Sequence, residues 1–63
     1  NIKLTEKQVI LFAGNELAIF NMKGICKYQG SIESSIIEMF PISGFSKYMM
    51  INTSGFEEVQ LVK

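Results

Sequence analysis

The sequence predicts a mostly β domain of the α+β kind: a small antiparallel β-strand domain with one short helix around residues 31–40. Three observations predict it. Short apolar runs of strand length recur at Val9–Ala13, Leu17–Met22 and Tyr48–Ile51, the first of them rich in β-branched and aromatic residues. Turn chemistry separates or closes them, as Gly14-Asn15, Lys23-Gly24 and Asn52-Thr53-Ser54-Gly55, residues that tolerate positive φ or bond their own backbone. Over residues 31–40 the apolar spacing changes, falling at Ile32, Ile36, Ile37, Met39 and Phe40 with Glu33 and Glu38 between, which approximates a helical stripe.

In chain order, Ile2 and Leu4 alternate with polar residues ahead of the Val9–Ala13 strand. The Gly14-Asn15 turn returns the chain into Leu17–Met22, and Lys23-Gly24 leads to Ile25–Tyr28. The first thirty residues therefore read as a three-stranded antiparallel meander. Ser31 is placed to cap the helix, with Glu33 in its first turn where exposed amides favour a carboxylate. Pro41 ends it, because the residue before a proline is steered away from helical geometry. Ser43 and Gly44 form a loop, Tyr48–Ile51 a further strand, and Thr53 or Ser54 caps a short turn through Phe56, Glu57, Glu58 and Val59. Gln60 to Lys63 has strand character. No internal repeat, low-complexity tract or linker is evident, so one domain is expected across residues 1–63, in the order β-β-β-α-β.

Sixty-three residues stand near the lower limit for a chain that folds on its own core. A hydrophobic content of 48% and a mean hydropathy of +0.23 argue against disorder. The single Cys26 has no disulfide partner within the chain, which favours a reducing, cytoplasmic setting. Six lysines balance six glutamates, with no Arg or Asp. That neutrality counts against binding nucleic acid through the field of the whole domain. No apolar run is long enough to span a bilayer and no basic-then-apolar leader opens the chain, so no membrane partner is expected. The first residue is Asn1 rather than Met, consistent with an excised domain or a chain whose initiator is not shown.

The absence of His removes imidazole relays and His-containing zinc sites. Cys26 without a base reads as a small hydrophobe rather than a nucleophile. Glu33 with Glu38, and Glu57 with Glu58, read as solvated faces, and the five glycines form no phosphate-binding fingerprint. No cofactor, metal or enzymatic activity is expected. Met39, Met49 and Met50 read as core filling ahead of an adaptable binding surface.

One stretch carries a resemblance. Ile42-Ser43-Gly44-Phe45-Ser46-Lys47-Tyr48-Met49-Met50-Ile51-Asn52, followed by Phe56 and Val59, resembles the signature of the LytTR DNA-binding domain of bacterial response regulators, with SIESSIIEMFPI in the place of that family's helix. Lys47, Met50, Ile51, Asn52, Phe56 and Val59 match. Ser46 stands where the family has His, Tyr48 where it has Ser, and Gly44 where it has Arg. The resemblance implies a transcription-regulating domain that binds double-stranded DNA sequence-specifically, with Ser46 and Lys47 in the loop that reaches the groove. Lys reads a guanine edge or a phosphate, and Ser bonds either. The Gly14-Asn15 turn, through Asn15, is the expected second contact and Lys23 a further backbone contact. The family's domain continues past Val59 with further strands, so the resemblance also implies a piece of a longer domain. The alternative reading is a non-enzymatic β-rich interaction or oligomerisation module, with a homodimer or another protein as partner. Neutral charge, high apolar content and small size motivate it.

Overall fold

Over the first half of the chain the expected three-stranded antiparallel meander forms, and a fourth, unexpected strand, Ile2–Leu4, pairs at its edge. The computed structural model describes residues 1–61, and these form β1 (Ile2–Leu4), β2 (Gln8–Ala13), β3 (Glu16–Asn21), β4 (Cys26–Ser31), β5 (Ile36–Ser43), β6 (Lys47–Asn52) and β7 (Gly55–Gln60). Sheet A has the order β1-β2-β3-β4 and sheet B the order β5-β6-β7, antiparallel throughout. Gly14, at φ +59°, makes the predicted two-residue turn between β2 and β3. The next turn is held by Asn21, whose Oδ1 accepts from the amides of Lys23 at 2.9 Å and Ile25 at 3.0 Å. Val62 and Lys63, half of the strand-like segment expected at 60–63, lie outside the described residues.

Where a helix was expected around residues 31–40, the chain ends β4 at Ser31, passes through a loop at 32–35 and enters β5 at Ile36, and no helix occurs among the described residues. The reason is a bulge. Ile36 lies opposite Asn52, Glu38 opposite Ile51 and Met39 opposite Met50, which leaves Ile37 as an extra residue. Ile36 and Met39 then share the core face three positions apart, the spacing a helix would give. The local chemistry is extended in character: Ile36 and Ile37 are β-branched, and Phe40 precedes a proline. Pro41 sits in β5 at the edge of sheet B and beside a second register shift, where a missing N–H is tolerated. The expected turn at residues 53–59 is likewise a hairpin into β7. Asn52 Oδ1 accepts from Ser54 N at 2.9 Å, and Gly55 at φ +126° opens a strand paired with β6 along its length.

The two sheets pack face to face on a single core. Sheet A supplies Ile10, Phe12, Leu17 and Ile19; sheet B supplies Ile36, Met39, Tyr48 and Met50; Leu61 closes one end. Cross-strand pairs Ile10–Ile19 and Met39–Met50 face each other across it. Backbone bonds join the sheets too, with Ile36 N donating to Gly14 O at 2.7 Å.

A repeat that the residues do not display is present in the fold. β2 and β6 span 8–13 and 47–52, β3 and β7 span 16–21 and 55–60, and β1 and β5 end at Leu4 and Ser43, each pair 39 residues apart. The connections agree as well, residues 5–7 and 44–46 followed by residues 14–15 and 53–54. Between Ile2 and Asn21 no residue is identical to the one 39 positions later. The absence of a repeat expected from the sequence is therefore corrected at the level of structure.

Candidate functional site

The four residues expected to contact DNA do not converge. Gln8 begins β2 opposite Asn21 and donates from Nε2 to Gly44 O at 3.0 Å, which puts the loops 5–7, 22–25 and 44–46 at one end of the molecule. Lys23 and Ser46 are exposed at that end. Lys47 begins β6, its side chain on the outer face of sheet B, with Nζ 3.4 Å from Glu58 Oε2 on β7. Asn15 lies at the far end of β2, roughly 17–20 Å away for a strand of this length, and its carbonyl accepts from Ile32 N at 2.9 Å.

The chemically distinctive feature at the Ser46 end is buried. Tyr48 is fully buried, and its hydroxyl donates to Gln8 Oε1 at 2.5 Å while Gln8 Nε2 holds Gly44 O. Thr5 Oγ1 accepts from Gln8 N at 3.0 Å, so the side chain enters a fixed loop. Burial pushes the Tyr48 hydroxyl up to about 12, against which the Gln8 bond pulls weakly. At neutral pH this is a neutral phenol that ties sheet to sheet. Beside it a crevice of about 430 Å³ opens between Thr5, Lys7, Pro41, Ile42 and Phe45. Cys26 is half-buried and donates its thiol to Tyr28 O at 3.4 Å. Among the described residues no cluster of His, Cys, Asp or Glu is arranged to hold a metal.

What the sequence reading missed are the outer faces of the two sheets. Residues directly opposite on neighbouring strands share a face. On sheet A, Leu4, Val9 and Phe20 form one row and Ile2, Leu11 and Ala18 the next, all turned away from the core. Ile2 is 74% and Leu4 67% exposed. A shallow groove of about 480 Å³ lies over the second row, reaching Gln29. On sheet B the outward rows are Ile51 with Phe56, and Phe40 with Met49, flanked by Glu38 and Glu58. Phe56 is 79% exposed. Lys3 crosses from β1 to this side, its Nζ 4.3 Å from the centre of the Phe40 ring and 3.8 Å from Glu38 Oε2. The signal was present in Val9–Ala13, an unbroken apolar run where a half-exposed strand would alternate.

Of the methionines, Met39 and Met50 fill the core as expected, whereas Met49 belongs to the outer face. No helix of the described residues is long and apolar enough to cross a membrane. No curated protein and no solved structure matches the chain. A protein-family model described as a family of unknown function, DUF5711, matches residues 1–61. With nearly its whole length matched, the chain belongs to the DUF5711 family.

Proposed function

We propose that this chain is a non-enzymatic interaction and assembly module whose working surfaces are the outer faces of its two sheets. One observation carries the reading: both sheets, already packed on a shared core, turn large apolar side chains on a second face to solvent, with Phe56 on one and Ile2 and Leu4 on the other as the most exposed large hydrophobics. Contiguous apolar patches on small soluble domains mark contact surfaces, and a chain of this size gains much of its stability from whatever covers them. A reducing compartment, which suits the half-buried Cys26 thiol, is part of the same proposal.

Duplex DNA binding, implied by the LytTR resemblance, has less to support it. Lys47 is paired with Glu58, Asn15 stands at the opposite end from Ser46 and Lys23, and the lysines are matched by glutamates. The stretch resembling that family's helix is the end of β4, a loop and most of β5. Two measurements separate the readings. Under the assembly reading, the chain self-associates in sedimentation or binds the apolar dye anilinonaphthalene sulfonate while folded, and Phe56→Glu or Leu4→Glu reduces that signal. A folded monomer that binds no dye overturns it. Anisotropy of a labelled duplex that falls with salt and with Lys47→Ala would instead favour DNA.

A further inference from the structure

We propose that the outer face of sheet B and the outer face of sheet A are the two halves of one head-to-tail interface, covered in solution by a second copy of this chain. The inference rests on the assembly reading and adds the partner and the geometry.

The 39-residue repeat supplies the argument. The core-facing residues of sheet A, Ile10, Phe12 and Leu17, correspond in position to Met49, Ile51 and Phe56, which face outward on sheet B. Leu17 is 2% exposed and Phe56 79%. Conversely, Val9 and Leu11, outward on sheet A, correspond to Tyr48 and Met50, which sheet B presses into the core. Both sheets thus have a front and a back of the same plan, and the contact inside the chain is front of A on back of B. The front of B and the back of A are left over: the back of A is apolar, and the front of B carries Phe40, Met49, Ile51 and Phe56 beside Glu38 and the Lys47–Glu58 pair.

A contact that joins the front of one unit to the back of the next is heterologous: repeated, it closes into a ring or runs on as a stack. Radial repetition of antiparallel sheets is an established way for all-β proteins to leave only short edges. The existing junction is therefore a template for the missing one, with the front of B from one copy seated on the back of A from the next. The template differs at two places. Ile19, fully buried in the internal junction, corresponds to Glu58, which pairs with Lys47 on the front of B. Gln8, which reaches Tyr48 across the internal junction, corresponds to Lys47, and Tyr48 corresponds to Val9. The external junction lacks that polar tie, sets the Lys47–Glu58 pair beside its apolar contacts, and is the one that dilution breaks.

The test is sedimentation of the whole chain over a concentration series, with one variant for each half. Phe56→Glu spoils the front of B, and Ile2→Glu with Leu4→Glu spoils the back of A; all three sites are exposed, so the fold survives, as circular dichroism checks. The expected result is a concentration-dependent assembly in the parent chain and a monomer for each variant. An equimolar mixture of the two variants then recovers a species of twice the chain mass, because one intact front meets one intact back. Several outcomes overturn the inference. A parent chain that stays monomeric while binding dye in a manner lost in both variants keeps the assembly reading but removes the second copy as its occupant, in favour of a like sheet elsewhere in a longer polypeptide. Variants that fail to complement, or a dimer sensitive only to Phe56→Glu, indicate a two-fold contact instead. A monomer that binds no dye removes both readings.

Discussion

At the residue scale the fold turns on Tyr48 and Gln8. Their hydrogen bond is buried, with Gln8 Oε1, Nε2 and backbone N each holding a partner. Replacing Tyr48 by Phe leaves Gln8 Oε1 buried without a donor, which costs about 1–3 kcal/mol and is read as a lower urea midpoint. The same hydroxyl sets an alkaline limit. In the unfolded chain a tyrosine ionises near its ordinary value of 10.0, whereas in the fold Tyr48 holds its proton to about 12. Between these values the unfolded state binds fewer protons, so stability falls as pH rises from 10 through 12, and the contribution is fully present below 10. Urea midpoints across this range decline more steeply in the parent chain than in Tyr48→Phe. Nothing in the sequence marks Gln8 as special, since its partner lies forty residues away.

At the element scale the decisive case is β5. The sequence placed apolar residues at helical spacing because one bulge residue, Ile37, converts the two-residue period of a strand into a step of three between Ile36 and Met39. Propensity pointed the other way, through paired isoleucines and the residue before Pro41. The strand geometry makes a graded prediction. Met39→Ala, at a fully buried site, costs about 2–5 kcal/mol. Ile37→Ser, on the outward bulge, changes stability by no more than about 0.5 kcal/mol. Denaturant unfolding of the two variants checks the contrast. Gly55, at φ +126°, lies where a Cβ is strained, and Gly55→Ala destabilises the β6–β7 hairpin by about 1 kcal/mol or more.

At the scale of the molecule, one core cluster joins both sheets, and neither sheet has a second layer of its own. Unfolding is therefore expected as one cooperative transition, with far-ultraviolet circular dichroism and tyrosine fluorescence coincident in urea. Separate midpoints would mean that the sheets fold apart. The same spectrum is expected to lack helical minima, which tests the all-β assignment directly.

The sequence by itself determined that the chain is mostly β, that it reverses at 14–15, 23–24 and 52–55, and which apolar runs of the first half feed the core. Those follow from local chemistry: glycines and asparagines at reversals, and apolar runs of strand length between them. It also named exposed residues, Ser46 and Lys23, that do share one end of the molecule. Only the tertiary structure decided that Lys47 pairs with Glu58, that Asn15 lies at the other end, and that residues 36–43 form a strand. The 39-residue repeat belongs there too. Packing constrains strand length, connection length and which face is apolar, and all three recur while the residues that satisfy them do not. A front and a back are properties of stacked sheets, and they become visible only once one sheet is seen lying on the other.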